Sequence, residues 1–343
     1  MRVALVSPFV AAIDERAPQI GGAQAVVADL ARGLAARGHE VTLLAPRRSF
    51  VTGAVIVDLG IDADPAAALG RKNSDASQDT AFAAVADWLA SRSFDVVHGH
   101  AFDAPAFARL RGPHVLHTIH LPPIDPTVVA AVRATPATLA TVSESCRAAW
   151  RSEGASVREV LPNGVDLAAV PAGDGTGGYF AFAGRMSAEK DPAAACRVAR
   201  AAATQLRLAG PIYDERYFAR EVAPLLGDGI SYEGPLDRAA LWRMLGAATV
   251  TLQPARWDEP FGMVALESIA CGTPVVAYRR GGLADVIVDG LSGCLVTPGD
   301  EAGLLDAVGT AGGLSRAACR ADAGRHDLGR MLDAHEALYR RLS

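Results

Sequence analysis

Short apolar runs alternate with longer segments of helical period along the whole chain. In the first half the runs are VALVS (3–7), VTLLA (41–45), FDVVHGH (94–100), HVLHTIH (114–120) and ATLATVS (137–143). They show little in–out alternation, which suits strands of a parallel sheet covered by helices on both faces. The clearest helix lies in GAQAVVADLARGLAARGHEVTLLAP. There Val26, Val27, Leu30 and Leu34 make one apolar stripe, and Gly38 stops the helix ahead of VTLLA. This is one strand–helix–strand unit of a doubly wound domain.

A composition break follows. LPNGVDLAAVPAGDGTGG (161–178) is rich in Gly, Pro and Asp and reads as an inter-domain connection that must flex if the domains are to close. The alternation then resumes with YFAFAGR (179–185), QLRLAGP (205–211), ISYEG (230–234), TVTLQPA (249–255), TPVVAY (273–278) and GCLVTP (293–298). Helical patterns at 300–310 and 315–322 complete the second half, and LDAHEALYRRL (332–342) is an amphipathic helix able to lie back on the first. The expected fold class is α/β, with two Rossmann-like domains facing across a cleft. Their expected extents are 1–165 and 166–328, with 329–343 as the returning helix.

Composition narrows the function classes. The chain has 343 residues, half of them hydrophobic and 21% charged, as a globular protein has. A net charge of −5 and the lack of long Lys/Arg runs argue against a nucleic-acid partner. MRVALVSPF reads as a first strand and not a signal peptide, and no apolar stretch is long enough to span a membrane. Contact with the inner face of a membrane through a local basic patch stays open. Cys146, Cys196, Cys271, Cys294 and Cys319 lack metal-binding spacing and are expected to be free thiols in the cytoplasm.

The chemistry concentrates in four stretches: GGAQAVVADLARGLAARGHEVTLLAP near the start, VLPNGVD (160–166), FAGRMSAEKD (182–191), and PARWDEPFGMVALESIACGTPVVAYRRGGLADVIVDGLSGCLVTPGD (254–300). In the last, Pro260-Phe261-Gly262 is a turn, and MVALESIAC is a helix ended by Gly272 and Pro274. Glu259 then precedes a helix N-terminus whose N–H groups, from Phe261 and Gly262 to Met263 and Val264, are free for sugar hydroxyls or phosphate. Glu267 lies about two turns inside. Arg185 follows a strand, and Lys190 sits at the mouth of a helix that starts near Asp191-Pro192.

Together these stretches resemble a retaining glycosyltransferase of family 4, with the two-domain GT-B fold, from one end of the chain to the other. The most specific signal is the family's Glu-x7-Glu spacing, here Glu259 and Glu267 with their flanking turns. The resemblance implies that Glu259 binds the donor sugar, Glu267 the nucleotide ribose, and Arg185 and Lys190 the diphosphate. It also brings the Gly21-Gly22 loop and Gln24 near diphosphate and acceptor. Gly281-Gly282 reads as mainly structural. Where the family usually has glycine after the lysine, this chain has Asp191, which either caps the helix or weakens donor affinity.

Four histidines stand at strand ends. His98 and His100 share one face of a strand, while His117 and His120 lie on opposite faces, which makes a zinc cage a poor fit. The resemblance implies that His120 sits beside the transferred sugar, with His100 as second choice; His98 and His117 read as core histidines. Asp62-Ala63-Asp64 has Asp-x-Asp spacing but ends no convincing strand and reads as a solvated loop, and Asp322 has no carboxylate two residues on.

The implied activity is transfer of a hexose from a UDP-, GDP- or ADP-linked sugar to an unidentified acceptor hydroxyl. It would proceed with retention and with neither metal nor cofactor. Two rivals share the fold: an isomerase resembling UDP-N-acetylglucosamine 2-epimerase, and a non-catalytic nucleotide-binding protein. Acceptor choice is expected from the loops 8–23, 46–80 and 120–127, with 60–79 a long mobile loop.

Overall fold

The apolar runs become the strands of two parallel sheets. A computed structural model describes residues 1–17, 21–64 and 75–343. The chain divides into two units: Met1–Gly164 with Leu328–Ser343, and Val165–Asp327.

In the first unit β1 (Arg2–Val6), β2 (Glu40–Leu44), β3 (Val55–Val57), β4 (Val96–Gly99), β5 (Val115–Ile119), β6 (Thr138–Thr141) and β7 (Glu159–Val160) form one sheet. Its order is β3-β2-β1-β4-β5-β6-β7, with every pairing parallel. All five residues of β5 are buried, as a central strand covered on both faces requires. The helix Gly22–Ala36 buries Val26, Val27, Leu30 and Leu34, and Gly38 beyond it has φ 85°. The strand order turns back between β1 and β4, and the loops after these strands carry Gly21-Gly22 and His100.

The helix Leu328–Leu342 belongs to this first unit and buries Met331, Leu332, His335, Leu338 and Tyr339. Leu332 lies so close to Gly33 that a Cβ there would come within 2.7 Å of its Cδ1. Arg37 bonds Asp333 at 2.7 Å, and Arg341 bonds Glu159 at 2.8 Å.

Two expectations for this unit change. The least patterned stretch, 46–80, contains strand β3, the three β-branched residues Val55–Val57. Of the expected loop 60–79, residues 65–74 lie outside the described residues, as do 18–20 of the loop 8–23. From Asp75 the chain is helical, through Ala90. Ala81, Phe82 and Val85 are its buried face, a helical spacing that holds the segment down.

The second unit holds β8 (Tyr179–Ala183), β9 (Gln205–Ala209), β10 (Ile230–Tyr232), β11 (Val250–Gln253), β12 (Val275–Tyr278) and β13 (Gly293–Val296). Their order is β10-β9-β8-β11-β12-β13, again all parallel. Phe182, Leu206, Leu208, Val250, Leu252 and Val276 lie in one core cluster. The stretch expected to be a flexing connection is tied down from Leu167 onward. Arg320 bonds the carbonyls of Leu167 and Val170 at 2.8 and 2.9 Å, and Gly173 and Gly175 donate to Cys271 and Gly246. Backbone groups that glycine and proline leave unpaired in helix or strand are satisfied here by neighbouring elements.

Candidate functional site

In an open parallel sheet, ligands bind outside the carboxyl ends of the strands where the strand order reverses. In the second unit that point lies between β8 and β11, and Arg185, Lys190, Trp257 and Glu259 all follow these two strands. The Arg185 guanidinium lies 4.5 Å from the Tyr213 ring centre and 5.7 Å from that of Trp257. Glu189 pairs with it at 3.1 Å. Lys190 lies 5.0 Å above the Trp257 ring and donates to Oε2 of Glu259. Trp257 donates its indole N–H to the same oxygen at 2.8 Å. Aromatic faces and carboxylates thus hold both cations in fixed positions at one end of the sheet.

Asp191 occupies left-handed backbone, φ 49° and ψ 56°, where glycine is the unstrained residue. Its carboxylate accepts the Ala194 N–H at 3.1 Å, which caps the helix Pro192–Ala201. The same group accepts the Tyr217 hydroxyl at 3.2 Å and pairs with Arg256 at 3.0 Å. Of the two roles open for Asp191 in the sequence, capping is therefore seen, and its charge is matched by Arg256.

The helix after Glu259 starts at Met263, where the Pro260-Phe261-Gly262 turn was expected to give way to it. Gly262, at φ 100°, is its N-cap, and the helix runs Met263–Ala270. The groups that lack a partner four residues back are therefore the N–H of Met263, Val264 and Ala265, displaced from Phe261. Phe261 is instead a packing residue, 3% exposed and edge-on to His326 at 5.3 Å. Burial beside this ring helps hold the His326 imidazole down to about 4. Gly281 and Gly282 are needed for close approach: a Cβ on Gly281 would lie 2.4 Å from the Glu259 carbonyl oxygen, and one on Gly282 2.6 Å from the Phe261 Cα. The second glycine pair braces the loop that presents Glu259.

This start places Glu267 about one turn inside the helix, not the two expected. It is buried, and its Oε1 accepts from Arg238 Nε at 3.1 Å and from the Trp242 indole at 3.2 Å. Arg238 and Trp242 are four residues apart on the helix Arg238–Ala247, so both reach one carboxylate.

In the first unit, His100 and His120 end β4 and β5. Nδ1 of His100 lies 3.0 Å from Nε2 of His120, and the rings stack with centres 5.3 Å apart. The His98 ring lies 3.9 Å from that of His100, tilted by 39°, and is satisfied by the Tyr339 hydroxyl at 2.7 Å and that of Thr118 at 2.8 Å. His117 turns to the other face, toward Phe107 and the Leu110 carbonyl. Burial holds His117, His120 and His335 down to about 4; it also drives His98 and His100 well below 6.5, reinforced by neighbouring imidazoles. All these rings are neutral at ordinary pH. Gly21 is the N-cap of the helix Gly22–Ala36 and has no side-chain cap, and Gln24 is buried beside it, 6% exposed.

Asp64 accepts from Ser77 at 2.6 Å. Asp322 is tied to Arg325, with N–O distances of 2.6 and 3.0 Å. Among the described residues no group of three or more His, Cys, Asp or Glu side chains is placed to hold a metal ion. No described helix is long and apolar enough to cross a membrane.

Residues 20–169 match the family model described as Glycosyltransferase Family 4, and residues 169–311 match Glycosyl transferases group 1. The D-inositol 3-phosphate glycosyltransferase of Thermobifida fusca is 46% identical over 101 residues, 28% of this chain but only 23% of that protein. Its namesake from Acidothermus cellulolyticus is 29% identical over 350 residues, covering 84% of this chain and 77% of the relative. The sucrose-phosphate synthase of Thermosynechococcus elongatus shares the fold, with a TM-score of 0.83 at 20% identity, covering 100% of this chain and 99% of that one. The chain belongs to family 4 of the glycosyltransferases, and its fold is GT-B.

Several residues that organise this transferase escaped the sequence reading: Tyr213, Arg238, Trp242, Arg256 and Trp257. Only one pair left a usable trace. Arg238 and Trp242 stand i, i+4 in DRAALWRML, a spacing that puts a cation and an indole N–H on one helix face. Tyr213 and Trp257 follow different strands, and only the sheet order brings them to one cation.

Proposed function

We propose that this transferase moves a hexose from a nucleoside-diphosphate sugar to an acceptor hydroxyl, with retention at the anomeric carbon and without a metal ion. The observation that carries the reading is the cation pair Arg185 and Lys190, set at the β8–β11 reversal beside Glu259. As the sugar–phosphate bond breaks, charge grows on the leaving diphosphate. Two positioned cations and the free N–H groups of Met263 to Ala265 stabilise that charge without reorganising.

In this reading Glu259 exchanges part of its contact with Lys190 and Trp257 for sugar hydroxyls. Glu267 receives the ribose hydroxyls, with its carboxylate positioned by Arg238 and Trp242. The acceptor approaches on the leaving group's side, and a diphosphate oxygen takes its proton, so no protein nucleophile is required. Gly21, Gly22, Gln24 and His120 serve substrate binding in the first unit. The free thiols are consistent with a cytoplasmic setting.

Calorimetry with UDP, GDP and ADP identifies the base, and transfer assays with the matching sugars follow. The relative's name makes a phosphorylated polyol the first acceptor to try. Proton NMR of the product reads the anomeric configuration. Activity that survives excess EDTA, with retained configuration, is expected. Inversion, loss of activity with chelator, or epimerisation of donor alone would each overturn the corresponding part.

A further inference from the structure

The His100–His120 contact decides which nitrogen of His120 a substrate meets. Both rings are neutral, so one nitrogen donates across the 3.0 Å contact and the other accepts. Two arrangements exist. If His120 donated from Nε2, His100 would accept at Nδ1 and carry its own proton on Nε2. That Nε2 is buried with no hydrogen-bond partner among the described residues. An unpartnered buried N–H is among the rarest features of folded proteins, because its desolvation is uncompensated. If instead His100 donates from Nδ1, only a lone pair is left at the buried position.

His100 has little room to escape the choice. It is fully buried, with the His98 ring centre 3.9 Å away and that of His120 5.3 Å away. His98 is itself fixed by Tyr339 and Thr118. His120, at the carboxyl end of β5, keeps 7% exposure, and its Nε2 is consumed by the contact. A ligand at this end of the sheet therefore meets Nδ1.

We propose that His100 is a positioning residue that fixes His120 as the Nδ1–H tautomer, so that His120 donates a hydrogen bond to a substrate oxygen and cannot accept the acceptor's proton. This rests on the transferase reading for its substrate but not for its test. It assigns a division of labour: the protein supplies a neutral donor here, and the proton released by the acceptor hydroxyl goes to the diphosphate.

The test uses the full chain labelled with nitrogen-15 in histidine, read by long-range proton–nitrogen correlation spectra. The His120 signals are identified by their loss in His120→Gln. The wild type should show a protonated-type shift at Nδ1 of His120 and an unprotonated-type shift at Nε2. His100→Asn keeps an amide N–H near the Nδ1 position and should preserve this pattern. His100→Leu should shift His120 to a mixture and lower kcat/KM by about 10–100-fold, the range seen when a supporting partner of a working imidazole is removed; His100→Asn should restore much of it. A proton on Nε2 of His120 in the wild type would overturn the proposal, whether or not His100→Leu folds, as would an unchanged pattern in a folded His100→Leu. Absence of any transfer activity with the expected spectrum would sink the transferase reading and leave the tautomer assignment standing.

Discussion

Lys190 and Glu259 come from loops after different strands and meet in an ion pair, their side chains only 15% and 14% exposed. Lysine at the mouth of a helix would ordinarily carry no packing, but here its removal takes one of two donors, Lys190 and Trp257, from Oε2 of Glu259. Lys190→Ala is therefore expected to cost about 1–3 kcal/mol of stability. It should also lower kcat by about 10²–10³, as deletion of one preorganised donor to a developing anion does. Urea unfolding and steady-state rates measure the two effects separately. A folded variant with near-normal turnover would remove Lys190 from the leaving-group site.

Glu267 is held on one oxygen by two donors, which fixes the carboxylate before any nucleotide arrives. Glu267→Gln exchanges a charge-assisted acceptor for a neutral one and should weaken nucleoside-diphosphate binding about tenfold or more. Calorimetry with the preferred nucleotide reads this directly; equal affinities would mean that Glu267 serves only Arg238 and Trp242.

Asp191 combines a helix cap with a backbone conformation that favours glycine. Loss of the cap without relief of the backbone, in Asp191→Ala, should destabilise by about 1–2 kcal/mol. Asp191→Gly loses the cap but relaxes the backbone, so it should stay within about 0.5 kcal/mol of the wild type. It also releases Arg256, and nucleotide affinity should rise. Urea midpoints rank the three proteins, and a glycine variant less stable than the alanine one would refute the account.

The histidines of the first unit make stability depend on pH. Unfolded imidazoles take up protons near 6.5, whereas folded His117, His120 and His335 do so only near about 4. Between those values the unfolded chain binds more protons, so stability falls as pH drops, and the loss levels off below about 4. Urea midpoints at pH 7.5, 6 and 5 should decrease in that order. A flat profile would show that these rings reach water in the folded protein.

Much of the fold was legible because parallel strands buried on both faces leave unbroken apolar runs, and β1, β4, β5, β8 and β12 each correspond to one. β3 and β7 were not: β3 lies in a stretch read as loop, and the two residues of β7 carry no period. At the candidate site, Glu259, Glu267, Arg185 and Lys190 stood out through turn and helix-start chemistry around them. The same chemistry put the helix start at Met263, where Gly262 at positive φ ends the turn, but set Glu267 one turn too deep. Trp257 carries no local signal. Its role depends on the adjacency of β8 and β11, which are separated by about 70 residues in sequence, and no local pattern encodes that.

The helix Leu328–Leu342 makes the first unit discontinuous in sequence, whereas Val165–Asp327 is a single stretch. Order of synthesis then matters. The second unit can close as soon as its own residues leave the ribosome, while the sheet carrying His98 waits for Tyr339, made only after the whole of the other unit. Until then the apolar surface that Met331, Leu332 and Leu338 will cover stays open to water and to chaperones. Chains truncated after Asp327 and released from the ribosome should hold a folded second unit beside a first unit still sensitive to protease.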